Sequence, residues 1–311
     1  MAFLQWLIHG AGRSVDELAA RVGIPAAELL AVKPAYHTFQ VPKRRGGQRT
    51  IHAPDVSLKR IQRSVYRRLL KRLPVHPSVA GFRPGYSIAS NAAVHVGQTL
   101  VLRLDIQDFF PATQARRIHR YFRKIGWNRT AATLLTRLCT WEGGLPQGAP
   151  TSPQLSNIVN YQMDTRLAGL AAWCGGVYTR YADDLTFSFA LDVHRHYSTV
   201  LSMVPGILAR YGYAIHTGKK MQIRRRHQCQ MVTGLVVNEK LALPRKTRRW
   251  LRAVDHRLAN GANATLSLEQ RAGWAGLEAM VHAQTRAMEG VDPHPIARHQ
   301  RRNPKTGEVL P

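Results

Sequence analysis

The pattern of apolar and polar positions predicts helices and strands mixed along the chain, with no internal repeat. Leu18, Ala19 and Val22 follow a capping box at Ser14-Val-Asp-Glu17, and Gly23 closes that helix before a restart at Pro25. Such a unit is either a packing element or a DNA-reading helix-turn-helix. The acidic first helix would face phosphates poorly, which favours a structural extension over residues 1–35. Two β-like segments between Tyr36 and Pro54 flank a Gly46-Gly47 turn, a hairpin carrying Lys43, Arg44, Arg45 and Arg49. Leu58, Ile61, Val65, Leu69 and Leu70 fall at helical spacing among arginines and lysines, giving an amphipathic basic helix over 58–73. Its polar side faces either solvent or a nucleic-acid backbone.

Helices are also predicted over 115–125, 130–140 and 154–170, and over 194–211 with an interruption near Pro205. Thr99–Ile106 is an apolar strand that ends on Asp105, with Pro111 as its stop. Val177, Tyr178, Thr179 and Tyr181, then Leu185, Thr186, Phe187 and Phe189, read as strand, tight turn, strand with Asp183 and Asp184 at the tip. A turn and strand follow over 213–223, then a short strand over 231–238 broken at Gly234. From Pro244 the pattern is helical, crowding Arg245, Lys246, Arg248, Arg249 and Arg252 into two turns, and Arg298–Lys305 reads as a basic tail.

Of the 311 residues 44% are hydrophobic, enough for a substantial core divided into two or three subdomains. Charge narrows the picture further. Lys and Arg total 45 against 18 Asp and Glu, a formal charge of +27 spread along the whole chain, which implies a polyanionic partner bound through salt-sensitive phosphate contacts. Cys139, Cys174 and Cys229 are far apart and unpaired in pattern, so they suggest reduced structural thiols of a cytoplasmic protein. Met1–Ile8 is apolar but has no basic leader and is too short to span a bilayer, so no membrane association is expected.

The acids are the candidate chemistry. Adjacent carboxylates repel, and a fold that gathers them usually has a divalent cation to neutralise them; a solvated Asp-Asp turn fits the isolated pattern as well. If the strands ending at Asp105 and Asp183-Asp184 meet on one sheet, three carboxylates could hold two Mg²⁺ ions for nucleotidyl transfer. The basic hairpin suits either a triphosphate clasp or an ordinary exposed turn. Gly143–Pro153 is a glycine- and proline-rich loop carrying one long polar side chain, Gln147, and suits close approach to a nucleotide or a bland surface. Asn91 and His95 stand four apart, on one helical face, where a packing hydrogen bond is commoner than a catalytic pair.

Taken in order, Arg49, Leu104-Asp105-Ile106-Gln-Asp108-Phe109-Phe110-Pro111, Leu145-Pro-Gln147-Gly-Ala-Pro-Thr-Ser-Pro153 and Tyr181-Ala-Asp-Asp184 resemble the successive motifs of reverse transcriptases over roughly residues 36 to 240. Asn91-Ala-Ala-Val-His95 and Val232-Thr233-Gly234 narrow the resemblance to the bacterial retron reverse transcriptases. That resemblance implies an α+β right-hand polymerase fold. Fingers would comprise 36–97 and 113–144, a palm of antiparallel sheet and helices 98–112 and 145–231, and a small helical thumb with basic tail 232–311.

It also implies roles. Asp105, Asp183 and Asp184 become the catalytic acids, holding two Mg²⁺ ions, or Mn²⁺ in their place, with the Ile106 carbonyl as a further ligand. Lys43 and Arg49 clasp the triphosphate, Gln147 lines the sugar and base pocket, Phe110 is a steric gate against a ribose 2′-hydroxyl, and Lys220 is a proton donor to pyrophosphate. Met221 stands where the family usually has threonine, which weakens the Lys220 assignment. Asn91, His95 and the basic residues from Arg245 to Arg252 are the candidates for RNA recognition. The expected partners are deoxynucleoside triphosphates, a cognate structured noncoding RNA and its RNA-linked DNA product begun on a guanosine 2′-hydroxyl. A separate effector protein of phage defence completes the expected set. The rival readings are a group II intron-like or other bacterial reverse transcriptase, and a catalytically silent RNA-binding scaffold.

Overall fold

The computed structural model of the chain describes residues 12–43, 46–216, 221–261 and 263–290. Its backbone divides into two units, the first built from residues up to His76, Gln107–Met163 and Leu208–Ala214, the second from Pro77–Ile106, Asp164–Ile207 and the chain from Ile215.

The first unit is mostly helical. Ser14 caps helix Val15–Val22 by accepting the Glu17 N–H, and Gly23 ends it at φ 66°. The reciprocal half of the expected box is missing, because the Glu17 carboxylate takes Arg21 instead, at 2.8 Å. Leu18 and Val22 pack with Leu58, Ile61 and Val65 of helix Val56–Val65, Ile118 and Phe122 of helix Ala115–Lys124, and Leu135 and Leu138 of helix Arg129–Cys139. Each such side chain contributes about 1.5–3 kcal/mol by leaving water. The basic helix predicted over 58–73 changes character at Tyr66–Leu70, a π-helical turn. The wider turn carries Leu70, five residues past Val65, fully inside.

The hairpin consists of β1, Tyr36–Pro42, paired antiparallel with β2, Gln48–Pro54. The helix predicted over 154–170 is two helices, Ser152–Val159 and Tyr161–Trp173, parted at Asn160. The Asn160 amide donates to the Ser156 carbonyl at 2.8 Å and to the Tyr213 hydroxyl at 2.9 Å, an amide competing with the helix backbone. Pro111 does not stop a strand as expected: it lies inside the short helix Phe109–Ala112, entered through Asp108 at φ 44°.

A four-stranded antiparallel sheet organises the second unit, in the order β4-β5-β3-β6, with β3 Leu100–Asp105, β4 Gly176–Tyr181, β5 Asp184–Phe189 and β6 Gln222–Arg225. The predicted strand over 231–238 is a tight hairpin, β7 Met231–Val232 and β8 Leu235–Val236. Its turn needs positive φ twice, met by Thr233 at 46° and Gly234 at 87°. Val232 and Leu235 share a core with Ala89, Ala92 and Val101, and with Leu251 and Val281 from helices Arg245–Ala259 and Leu268–Gly290. The helical pattern expected from Pro244 is thus two helices, parted between Ala259 and Leu268.

Helix His194–Ala209 runs through Pro205 without the expected interruption. Val200, Val204 and Leu208 form a fully buried stripe along it, and that burial outweighs the roughly 3 kcal/mol an interior proline costs. Among the described residues no helix is long and apolar enough to cross a membrane. Cys139 and Cys174 are buried, and burial pushes the Cys139 thiol up to about 12, whereas Cys229 is exposed.

Candidate active site

Strand register brings the acidic segments together within the second unit. Asp105, the last residue of β3, lies directly opposite Asp184, the first residue of β5. Tyr181 pairs with Asp184 across the β4–β5 hairpin, which leaves Ala182 and Asp183 as its two-residue turn, with Ala182 at φ 58°. The Ile106 N–H donates to the Asp183 carbonyl at 3.0 Å, and the His216 N–H to the Asp105 carbonyl at 2.8 Å. Backbone bonds therefore fasten both acid-bearing segments to each other independently of their side chains.

The electrostatics of the acids are unequal. One Arg103 amino group donates to both Asp184 carboxylate oxygens, each at 2.8 Å, and both side chains are partly buried. Arg103 thus already supplies positive charge to the acid cluster, an arrangement that strengthens the pair beyond an exposed contact. Among the described residues no three His, Cys, Asp or Glu side chains form a ready-made metal cage. The donor chemistry of the cluster is carboxylate and carbonyl oxygen, which suits hard cations such as Mg²⁺ or Mn²⁺ and not thiolate-seeking Zn²⁺. Beneath the turn lies a group that sequence reasoning assigned no role: Arg180, fully buried, pairs with buried Asp164.

Four of the five residues expected to bind nucleotide, Lys43, Arg49, Phe110 and Gln147, lie in the first unit. Lys43 and Arg49 are exposed on the hairpin, with Arg49 opposite Val41 and the Lys43 N–H bonded to the Gly47 carbonyl at 2.9 Å. The Gln147 carbonyl accepts the His52 N–H of β2 at 2.8 Å, fixing the glycine-rich loop to the hairpin. Gly148 makes this approach possible, since at φ 131° a Cβ there would stand 2.8 Å from the His52 carbonyl oxygen. The same loop touches the Phe110 segment: the Leu145 N–H donates to the Phe110 carbonyl at 3.2 Å, and a Cβ on Gly144 would fall 2.1 Å from the Pro111 oxygen. Phe110 is half-buried, its ring centroid 5.4 Å from that of Phe109. Hairpin, loop and Phe110 are thus joined by direct contacts. Lys220 lies outside the described residues.

The RNA candidates divide. Arg245, Lys246, Arg248, Arg249 and Arg252 are all exposed on helix Arg245–Ala259, while Leu251 and Val254 bury its other side. Trp250 meets Trp274 edge to face at 5.5 Å, and Arg271 forks onto Asp255, so the helix is braced by its neighbour Leu268–Gly290. Trp274, Leu277 and Val281, at helical spacing, were the signal for that neighbour.

Asn91 and His95 need correction: both are buried, at 1% and 0% exposure, and their side chains offer no surface to an RNA. The helix that was to carry both, Ile88–Ala93, ends before His95, which follows it in a tightened turn. The His95 ring bonds Ser188 at 2.6 Å and Thr179 at 2.7 Å, and burial lowers its pKa to about 3, so the imidazole is a neutral tie beneath β4 and β5.

Comparison with known proteins agrees with this architecture. Residues 41–238 match the family model described as reverse transcriptase (RNA-dependent DNA polymerase). The chain is 41% identical over 277 residues to the retron Mx65 reverse transcriptase of Myxococcus xanthus, and 34% identical over 263 residues to the retron Ec86 reverse transcriptase of Escherichia coli. These alignments cover 79% and 82% of this chain. The chain spans 63% of the length of the Mx65 protein and 80% of the Ec86 protein. It shares its fold with a telomerase from Candida albicans in complex with a fragment of telomeric RNA, with a TM-score of 0.50 at 11% identity over 82% of this chain and 54% of that one. The chain belongs to the reverse transcriptase family and, within it, to the bacterial retron reverse transcriptases.

Proposed function

We propose that this protein is an RNA-directed DNA polymerase that copies part of a structured noncoding RNA into RNA-linked single-stranded DNA, starting from a guanosine 2′-hydroxyl. The observation that carries the polymerase reading is the register of Asp105 against Asp184 with Asp183 in the intervening turn. Asp105 and Asp183 would hold two divalent ions, Mg²⁺ or Mn²⁺, with the Ile106 carbonyl as a further ligand and Asp184 joining them on exchange of Arg103. Bound there, the ions would activate the primer hydroxyl and stabilise the leaving pyrophosphate.

The chain's own side chains do the positioning, which with electrostatic preorganisation accounts for most of the acceleration in phosphoryl chemistry. Arg49 presents a forked donor and Lys43 a point charge to the triphosphate. Gln147 would line the sugar and base pocket, and Phe110 would act as the steric gate against a ribose 2′-hydroxyl. Lys220 is the candidate acid for pyrophosphate. The exposed cations from Arg245 to Arg252 track the RNA backbone. The retron relatives and the Val232-Thr233-Gly234 hairpin support the retron reading over the group II intron type. On that reading the protein works in the cytoplasm beside a separate effector in phage defence.

Purified protein carrying Asp183→Ala will bind RNA as the wild type does and will not extend a primer; an Asp183→Ala variant that still synthesises DNA refutes the polymerase reading. Sequencing of copurified nucleic acid tests the narrower reading, and DNA lacking a 2′-linked RNA branch point favours the rival reverse transcriptase types.

A further inference from the structure

Two contacts from outside the acid motif reach the backbone of the Ala182-Asp183 turn, one made by Gly81 and one by Arg180. The residues 78–81 run beside β4, with the Arg180 N–H bonded to the Ser78 carbonyl at 2.9 Å and the Ala80 N–H to the Arg180 carbonyl at 3.0 Å. Gly81 then abuts the turn so closely that a Cβ on it would stand 2.6 Å from the Ala182 nitrogen. From below, Arg180 curls back under its own hairpin and donates from Nη1 to the Ala182 carbonyl at 3.1 Å.

The Arg180 guanidinium is itself immobilised. Its Nε and Nη2 fork onto the two Asp164 oxygens, both at 2.8 Å, and the Tyr178 hydroxyl donates to the same carboxylate at 2.9 Å. Arg180, Asp164 and Tyr178 are all at 0% exposure. Isolated in the core, a charge pair of this kind gives little stability over apolar side chains of similar size. Its directional arm to Ala182 is what an apolar replacement could not reproduce. Ala182 sits at φ 58°, a conformation alanine adopts only under constraint.

We propose that Arg180, held by Asp164 and Tyr178, is a positioning residue that fixes the Ala182 carbonyl, and through it the direction of Asp183, before any cation or nucleotide binds. The proposal deepens the polymerase reading and rests on it for its catalytic consequence. Its structural content, a turn made rigid from inside the hairpin, does not.

The test replaces the whole network by apolar side chains, Asp164→Leu with Tyr178→Phe and Arg180→Met, so that no buried charge is left alone. In parallel, Arg180→Lys keeps a cation for Asp164 and loses the forked geometry. Both proteins are compared with the wild type by hydrogen–deuterium exchange over residues 178–188, by Mn²⁺ titration followed by electron paramagnetic resonance, and by primer extension. The expected result is faster exchange at the turn, weaker Mn²⁺ binding and a kcat reduced by about 10- to 100-fold at little-changed KM for deoxynucleotide, the scale of a misplacement of about 1 Å. Exchange and Mn²⁺ affinity equal to wild type in whichever variant folds overturn the proposal. If neither variant folds, the network is a stabilising element and the proposal is likewise overturned. A wild type that extends no primer defeats the polymerase reading alone, while the exchange comparison still decides whether the clamp exists.

Discussion

Acid will destabilise this protein through His95, by an amount the surroundings of the ring define. The imidazole is fully buried, its two nitrogens meet the neutral hydroxyls of Ser188 and Thr179, and burial holds its pKa near 3. Unfolding exposes the same ring to water, where it takes up a proton near pH 6.5. Below pH 6.5 the unfolded chain therefore binds more protons than the folded one, and stability falls as pH falls. Above pH 6.5 the contribution is fully present. The slope is about 1.4 kcal/mol per pH unit, so acidification to pH 5.0 removes about 2 kcal/mol, roughly 3 °C in melting temperature for a chain of this size.

Other groups titrate over the same range, so the informative quantity is a difference between proteins. His95→Gln strands one or both buried hydroxyls and costs about 1–3 kcal/mol at pH 7.5. It also removes the titrating ring, so the melting temperatures of variant and wild type, followed by circular dichroism from pH 7.5 to 5.0, will converge as acid is added. Parallel curves, with a constant gap across that range, would refute the assignment of His95 as a neutral buried tie.

Phe110→Val, which retains some of the packing against Phe109, will raise incorporation of ribonucleotides relative to deoxynucleotides by about tenfold or more in single-turnover competition, the scale on which a single pocket contact discriminates. Gly144→Ala places a methyl group against the Pro111 carbonyl and will lower stability by about 1–3 kcal/mol in urea titrations. Replacing Arg248 and Arg252 together by Gln will weaken RNA binding regardless of sequence and reduce the slope of log affinity against log salt by about 2, with melting temperature unchanged.

The acid cluster was legible because each of its segments carries a local signal: a β-favouring run that ends on aspartate, twice. The strands then need only to pair in register for Asp105 to meet Asp184. Arg180 and Asp164 left no such trace, since a buried ion pair between a helix and a strand has no periodicity, and an arginine in a strand reads as a solvent-facing position until its surroundings are known. His95 was misplaced for a related reason. Four-residue spacing implies a shared face only while the helix continues, and this helix stops at Ala93. Pro205 shows the converse error, a local breaker overridden by a buried apolar stripe. Asn160 breaks a helix that apolar spacing alone would extend, because its amide finds a tyrosine distant in sequence.

The bond from the His52 N–H to the Gln147 carbonyl has a consequence for fidelity. On the proposed function, a hairpin that shifted as a triphosphate arrived would drag the Gln147 loop along, coupling grip on the phosphates to inspection of the sugar in one mechanical event. Hairpin substitutions remote from the base would then emerge as copying errors as well as slower synthesis.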